Sequence, residues 1–257
     1  MLRTIIPQGA SPAPDDTDLL PGVYEGGMKV WEASIDLLEY LVDRRPWALG
    51  NGLGAPSTEG SIQDSSELQG QVQDLPETPE NGMTVLELGC GHGLPGIMAL
   101  QNGCRVCFSD YNREVLVHAT MANVRAQVPN SLWDRATYYC GDWGDLSRLL
   151  EEPPHDGKFD LILTAETLYT TSVAEKIHEP CLQVLSMILR HLAPRGLAIV
   201  ASKRFYFGTG GSTAHFRGLA AADGRLRCED VSTSDTGQGN IREVIEVQWW
   251  QPSSFNV

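Results

Sequence analysis

A glycine-rich segment constrains the fold of this chain more than any other feature. Residues 87–96 read ELGCGHGLPG; they directly follow a strand candidate at 83–88 and open a helix candidate at 94–102. Glycine lets the backbone turn sharply and approach a ligand that a Cβ atom would exclude. A strand, a glycine turn and a helix in this order predict a ligand site at the carboxyl edge of a parallel sheet.

Short apolar runs alternate with helical stretches from residue 83 onward. The strand candidates are 83–88, 105–109, 136–140, 159–164, 197–202, 225–232 and 241–250, and the helix candidates are 94–102, 112–127, 173–192 and 213–222. Five apolar strands separated by helices predict a parallel sheet covered on both faces, and two final alternating runs predict an antiparallel hairpin. We therefore expect an α/β fold, a doubly wound seven-stranded sheet that is mostly parallel and ends in a C-terminal antiparallel hairpin.

The N-terminal third differs in composition from the rest of the chain. Residues 1–26 are rich in proline and turn formers, so we expect a flexible N-terminus. Residues 27–45 place apolar side chains near helical spacing, which predicts an amphipathic helix that Pro46 ends. Residues 46–82 contain no Lys or Arg and are typical of a disordered acidic insertion. We expect a single domain over 27–257 that contains this insertion.

Composition excludes several classes of function. The chain has 33 acidic and 19 basic residues, a net charge of −14, whereas a protein that binds the phosphate backbone usually has a basic face. We therefore expect no direct nucleic-acid binding. No apolar run reaches the roughly 18 residues that a membrane span needs, and the first residues lack the apolar core of a secretion signal. The six cysteines and six histidines lack the spacing of metal ligands, which predicts no metal site and free thiols.

The glycine-rich segment is compatible with two kinds of cofactor. Gly91-x-Gly93-x-x-Gly96 matches the dinucleotide fingerprint. The longer pattern, which starts at Glu87 and includes Gly89, fits S-adenosylmethionine better, because a carboxylate attracts the cationic ammonium and sulfonium groups. The chain also lacks the Tyr-x-x-x-Lys of short-chain dehydrogenases and is too short for a second substrate domain. We therefore assign Glu87, Gly89, Gly91 and Gly93 to the binding of S-adenosylmethionine.

Carboxylates follow the next two strand candidates. The first of these strands ends in Ser109-Asp110-Tyr111, and the second is followed by Gly141-Asp142-Trp143. Asp110 would accept hydrogen bonds from the ribose hydroxyl groups. Asp142 would hold the adenine amino group while Trp143 covers the ring. The alternatives are an acid at a helix N-terminus for Asp110, and a turn with core packing for Asp142 and Trp143.

These motifs together resemble the seven-β-strand methyltransferases, and more closely their protein-histidine N-methyltransferase branch. The matching segments are 29–38, 85–96, 110–112, 141–143, 160–169 and 201–211. The resemblance implies a class I, Rossmann-like methyltransferase that uses S-adenosylmethionine. It also implies a histidine of a large-subunit ribosomal protein as the substrate, in the cytoplasm or nucleus. We expect a monomer whose acidic surface attracts this basic partner.

The resemblance further implies which residues form the cofactor pocket. They are Val30, Trp31, Glu32, Ala33 and Ser34 near the N-terminal helix, Gly89, Ser109, Asp110, Tyr111, Gly141, Asp142, Trp143 and Ala165. Ala165 would lie beneath the sulfonium region. The family often has serine at this position, so a hydroxyl role is absent here.

Two residues after the fourth strand are candidates for contact with the substrate. Glu166 would hydrogen-bond the substrate ring and fix which nitrogen attacks, and Tyr169 would supply a ring wall or a hydroxyl group. Capping of the next helix by Glu166 and core packing of Tyr169 are the alternatives. An imidazole with a pKa of about 6.5 is largely neutral near pH 7, so the reaction requires no strong base.

Two other functions remain open from the sequence. In the first, the chain methylates a protein lysine or a small N-heterocycle such as nicotinamide. A lysine would have to lose a proton before it reacts, because its usual pKa is about 10.4. The third possibility is a binding module without catalysis. The intact set of acidic and glycine residues around the glycine-rich segment argues against a lost cofactor site.

Overall fold

A computed structural model gives the structure of the protein. It describes the backbone of residues 2–4 and residues 26–48, 82–152, 156–169, 180–206, 210–237 and 240–251. Most of the N-terminus predicted to be flexible and the 49–81 part of the predicted insertion lie outside these ranges. Pro46–Ala48, at the start of the predicted insertion, forms a short 3-10 helix.

One mixed sheet forms the centre of the described structure. Its strands are β1 (Leu2–Thr4), β2 (Thr84–Leu88), β3 (Arg105–Asp110), β4 (Ala136–Cys140), β5 (Phe159–Ala165), β6 (Leu192–Lys203), β7 (Leu226–Asp235) and β8 (Ile241–Trp249). The strand order is β1-β4-β3-β2-β5-β6-β8-β7. β1 to β6 pair in parallel, and β8 pairs antiparallel with both β6 and β7. The predicted α/β sheet with a C-terminal antiparallel hairpin is therefore confirmed.

The structure adds to the predicted strands at two places. All seven predicted strands are present, but β6 begins at Leu192, five residues before the predicted start at 197. The eighth strand, β1, was not predicted; it lies within the segment expected to be flexible and pairs with β4 at the sheet edge. Three residues are too few to give a recognisable alternating pattern in a sequence.

Helices cover both faces of the sheet. They are α1 (Glu32–Arg44), α2 (Leu94–Gln101), α3 (Arg113–Val115), α4 (Met121–Gln127), α5 (Trp143–Leu150), α6 (Pro180–His191) and α7 (Thr213–Asp223). A π-helical segment, Leu116–Thr120, joins α3 to α4, and a 3-10 helix spans Asn130–Arg135. The part of the predicted helix 173–192 before Pro180 lies outside the described residues.

Two helix predictions were wrong in detail. The N-terminal helix begins at Glu32 rather than at residue 27, because the Lys29 backbone N–H closes a turn onto Gly26 and the Trp31 indole N–H also donates to the Gly26 carbonyl. Helix α5 was not predicted at all. Asp142, which was predicted to hold the adenine, is the N-cap residue directly before this helix.

Charged contacts hold α1 against the antiparallel side of the sheet. Arg242 of β8 pairs with Asp36, and the Arg44 Nε atom lies 2.7 Å from Glu246 Oε1. The Tyr40 hydroxyl also donates to Glu246, at 2.7 Å. Ala33, Leu37 and Leu41, spaced by one helical turn, are fully buried beneath the helix. These contacts fix the segment that precedes α1 over the carboxyl edge of the sheet.

The direction of the chain reverses at β2. The chain runs from β2 through β3 to β4 on one side and then crosses to β5 and β6 on the other. In open α/β sheets, ligands bind outside the carboxyl ends of the strands where this reversal occurs. The crevice between the ends of β2 and β5 is therefore the expected site. Among the described residues, no helix has the length and apolar character to cross a membrane.

Candidate active site

The glycine turn, residues 89–93 between β2 and α2, lies between two other segments of the chain. Gly89 and Gly91 have φ angles of 60° and 50°, in the left-handed region that glycine tolerates. A Cβ atom on Gly89 would lie 2.7 Å from the Thr167 Cγ2 atom, and one on Gly91 would lie 3.1 Å from the Gly27 carbonyl oxygen. The turn therefore contacts the residues after β5 on one side and the segment before α1 on the other.

Two buried carboxylates lie beneath the glycine turn. Glu87 is 3% exposed and accepts a hydrogen bond from the Gly96 backbone N–H at 3.0 Å. Asp110 is 5% exposed, and its Oδ2 atom accepts from the Gly91 N–H at 2.9 Å. Burial raises the pKa of Glu87 to about 8, and the charge of Asp110 adds to the increase. The Asp110 carboxylate below the turn favours a cationic ligand over a phosphate.

Several polar groups at the end of β3 form hydrogen bonds within the protein. The Ser109 hydroxyl is buried and donates to the Glu87 carbonyl at 2.8 Å, so it stabilises the sheet. Asp110 Oδ1 accepts from the Asn112 N–H at 3.0 Å. The Tyr111 side chain is half-buried, and its carbonyl accepts from the Cys140 thiol. Asp110 contacts the glycine turn through its side chain, and the Ser109 carbonyl contacts it by accepting from the Cys90 N–H at 2.8 Å.

The end of β4 combines a predicted pocket segment with a helix cap. The Gly141 N–H donates to the Asp110 carbonyl at 3.1 Å, which ties this segment to the end of β3. Asp142 is exposed, and its Oδ1 atom accepts from the Gly144 and Asp145 backbone N–H groups at 2.7 and 2.9 Å. Asp142 is therefore the N-cap of α5. Trp143 is half-buried and packs partly against the core.

The segment before α1 crosses the glycine turn. A Cβ atom on Gly27 would lie 3.1 Å from Asp110 Oδ2, and His92 Nε2 lies 2.9 Å from the Met28 carbonyl oxygen. Among the predicted residues, Val30 is exposed, whereas Ala33 is fully buried in the core. The other three differ in exposure: Trp31 and Ser34 are half-buried and Glu32 is exposed. The segment that precedes α1 thus lies beside the turn, and Ala33 belongs to the same buried cluster as Cys90 of the turn.

Glu166 is the most unusual residue of this edge. Its φ of 53° places a non-glycine residue in the left-handed region, at a cost of about 1–2 kcal/mol. Its backbone N–H donates to the Ala201 carbonyl at 2.9 Å, and Tyr206 donates a hydrogen bond to its Oε2 atom. Of the buried side-chain polar atoms in the described ranges, Glu166 Oε1 is the one without a hydrogen-bond partner. Such a strained and unsatisfied group is typical of a functional site.

The groups around Glu166 have opposite effects on its pKa. Burial raises the pKa of Glu166, whereas the hydrogen bond from Tyr206 and the charge of Lys203 act to lower it. Tyr169 lies beside Tyr206, with ring centroids 6.0 Å apart and planes tilted by 52°. Glu166 and Tyr169, the two residues predicted to contact the substrate, therefore lie in one cluster with Tyr206.

Three residues of this cluster were not predicted as site residues. They are Ser202, Lys203 and Tyr206, at and after the end of β6. Ser202 Oγ lies 2.6 Å from the Tyr206 hydroxyl oxygen, and Lys203 Nζ lies 3.7 Å from Glu32 Oε2. The 201–211 segment is one of those that match the family, but no local spacing shows that Tyr206 contacts Glu166. In the part of the chain that the structure describes, no group of three or more His, Cys, Asp or Glu side chains is placed to hold a metal.

Comparisons of the sequence with known proteins find a family and several relatives. The model of a family described as lysine methyltransferase matches residues 22–204, more than half of the chain. A protein of Dictyostelium discoideum named histidine protein methyltransferase 1 homolog is 38% identical over 91% of this chain and 61% of its own length. The Mus musculus protein of the same name is 30% identical over 92% of this chain and 60% of its own length. The chain thus spans about three fifths of the length of these relatives.

A relative named for lysine methylation matches a smaller part of the chain. The Mus musculus protein named EEF1A lysine methyltransferase 3 is 33% identical over 123 residues. These residues cover 48% of this chain and 46% of that protein.

Proposed function

The chain belongs to the family described as lysine methyltransferase, and from this membership we propose that it methylates a nitrogen atom of a protein with S-adenosylmethionine as the donor. We propose further that the acceptor is a histidine imidazole. The two relatives named for histidine methylation match more than nine tenths of this chain, whereas the one named for lysine matches about half. The observation that carries the proposal is Glu166 Oε1, a buried acceptor without a partner at the carboxyl edge of the sheet.

The residues around the glycine turn fit a sulfonium nucleoside. A side chain at Gly89 or Gly91 would fill the space beside Thr167 or Gly27. The buried Asp110 carboxylate supplies negative charge, which suits a cation and opposes the pyrophosphate of a dinucleotide. When bound, the cofactor supplies an electrophilic methyl group on a positively charged sulfur. The backbone of the turn and Asp110 would hold it.

Glu166 performs the central task on the acceptor side. Its Oε1 atom accepts the N–H of a neutral imidazole, which leaves the opposite ring nitrogen with a free lone pair for attack on the methyl carbon. The new N–C bond forms as the C–S bond breaks, and the ring becomes cationic. The Glu166 carboxylate stabilises this charge until the ring proton is lost to water. Tyr169, next to Tyr206, forms a wall of the acceptor site.

Lysine is the second candidate acceptor, because the family description names it. A lysine amine attacks only after it loses a proton, and its usual pKa is about 10.4. A buried carboxylate beside the amine would stabilise the charged ammonium form and so oppose this loss. Glu166 is therefore better suited to a neutral imidazole than to lysine.

The substrate protein and its location belong to the same proposal. We propose a basic ribosomal protein, encountered in the cytoplasm or nucleus. The net charge of −14 supports a basic partner, since opposite charges accelerate association.

Transfer of a labelled methyl group tests the proposal. The full chain is incubated with S-adenosylmethionine labelled in its methyl group and with ribosomal proteins, and the protein products are hydrolysed to amino acids. We expect label in methylhistidine. Label in methyllysine, or no transfer to protein, would contradict histidine methylation, and the variant Glu166→Gln serves as the control for enzyme-dependent label.

A further inference from the structure

We propose that Tyr206 is a positioning residue, which with Ser202 fixes the Glu166 carboxylate so that its Oε1 atom alone faces the methyl acceptor. The ring nitrogen that faces Glu166 must then carry the proton, so the opposite nitrogen keeps the free lone pair that attacks the methyl group. The second statement rests on the proposed function, whereas the first concerns only the protein.

The hydrogen-bond directions in this cluster are fixed by counting protons. Tyr206 has one hydroxyl proton, and it donates this proton to Glu166 Oε2. Ser202 Oγ lies 2.6 Å from the same hydroxyl oxygen, so the bond between them must use the serine proton. Ser202 therefore donates to Tyr206, and Tyr206 donates to Glu166. Both protons point toward the carboxylate.

Neighbouring strands place this hydroxyl chain beside Glu166. Ala165 of β5 pairs with Ala201 of β6, and the Glu166 N–H donates to the Ala201 carbonyl. Ser202 follows directly and is 0% exposed, so water does not reach its hydroxyl group. The left-handed backbone of Glu166 and the bond from Tyr206 together restrict the carboxylate to one orientation.

The cations near Glu166 have acidic partners of their own. Lys203 pairs with Glu32, and Arg242 pairs with Asp36. Among the charges that act on Glu166, Lys203 and Arg242 favour its ionised form and Glu32 opposes it. The direct hydrogen bond from Tyr206 is therefore the contact that distinguishes Oε2 from Oε1.

Loss of the Tyr206 hydroxyl would change the chemistry of Glu166. Without this donor, burial favours the protonated carboxyl group, because the charged form loses its hydrogen bond. A protonated carboxyl group can donate to the ring nitrogen that faces it, and the opposite nitrogen then carries the ring proton and has no lone pair for attack. The expected consequences are a higher pKa of Glu166 and slower methyl transfer.

Infrared titration of the full chain tests the positioning without any turnover. The carbonyl band of protonated Glu166 is assigned by its loss in Glu166→Gln, and its midpoint is compared between wild type and Tyr206→Phe. We expect the midpoint to rise by about one to two pH units, the equivalent of one lost hydrogen bond to a charged group. Ser202→Ala keeps the bond to Glu166 and should shift the midpoint less. An unchanged midpoint in Tyr206→Phe would overturn the inference.

A matched control and a rate measurement complete the test. Tyr40→Phe removes a phenol hydroxyl from a different carboxylate, Glu246, and should leave the Glu166 midpoint unchanged. In the transfer assay near pH 7, Tyr206→Phe should methylate histidine more slowly than wild type, and the difference should shrink at higher pH, where Glu166 loses its proton. Equal rates for the two proteins near pH 7 would contradict the inference. A shifted midpoint together with no methylhistidine from wild type would instead refute the proposed function and leave the hydroxyl chain intact.

Discussion

Replacement of Glu166 by glutamine separates acceptor chemistry from folding. The amide keeps the shape of the carboxyl group, and its oxygen still accepts from Tyr206, which places the NH₂ group at the position of Oε1. The imidazole N–H then meets a donor instead of a charged acceptor. A hydrogen bond to a charged group contributes about 1.5–3 kcal/mol. We therefore expect kcat/KM for methyl transfer to histidine to fall by about 10- to 150-fold.

The same Glu166→Gln substitution should not destabilise the fold. Glu166 is 6% exposed, and its unsatisfied oxygen adds a desolvation cost to the folded state. Removal of this charge should leave the free energy of unfolding unchanged or raise it by about 1 kcal/mol. Initial rates and urea denaturation measure the two effects, with exposed Glu39→Gln as the matched control. A rate for Glu166→Gln within twofold of wild type, or a rate loss explained by unfolding, would refute the role of Glu166.

The remaining predictions concern the glycine turn and its carboxylates. The pKa of Glu87 is raised to about 8, so between about pH 5 and 8 the folded state holds a proton that the unfolded state releases. The free energy of unfolding should therefore fall as pH rises through this window, and Glu87→Gln should flatten the dependence in urea titrations; equal slopes would count against the buried carboxyl. Gly89→Ala should reduce cofactor affinity more than tenfold relative to Gly103→Ala, because both have positive φ but only the Gly89 Cβ would meet a side chain, that of Thr167. Calorimetry that gives equal affinities would remove the steric argument. Asp110→Ala should weaken cofactor binding by about 1–3 kcal/mol, and an unchanged dissociation constant would exclude Asp110 from the site.

The central parallel strands were predictable because they are buried on both faces. β2 and β5 are short, continuous apolar runs bounded by turn signals, a pattern that predicts a central strand without further context.

Helix α5 was missed for a specific reason. Asp142 follows a strand, and a carboxylate at that position serves equally well as a ligand group or as a helix cap, so its sequence position does not separate the two.

The site was predictable only where position along the chain determines position in space. Glu166 follows a parallel strand and therefore had to lie at the carboxyl edge of the sheet. Tyr206 comes 40 residues later and contacts Glu166 because β5 and β6 are neighbours, a pairing that local spacing does not reveal. The left-handed backbone of Glu166 also has no signature, since glutamate is not a residue type that favours positive φ.

A crystal structure of the full chain with S-adenosylhomocysteine and a histidine peptide tests the central claim most directly. The measured quantity is the distance from Glu166 Oε1 to the nearest imidazole nitrogen. We expect about 2.7–2.9 Å, the length of a charge-assisted hydrogen bond, with the other ring nitrogen directed at the cofactor sulfur. A peptide ring bound away from Glu166, or a glycine turn that does not contact the nucleoside, would contradict the account.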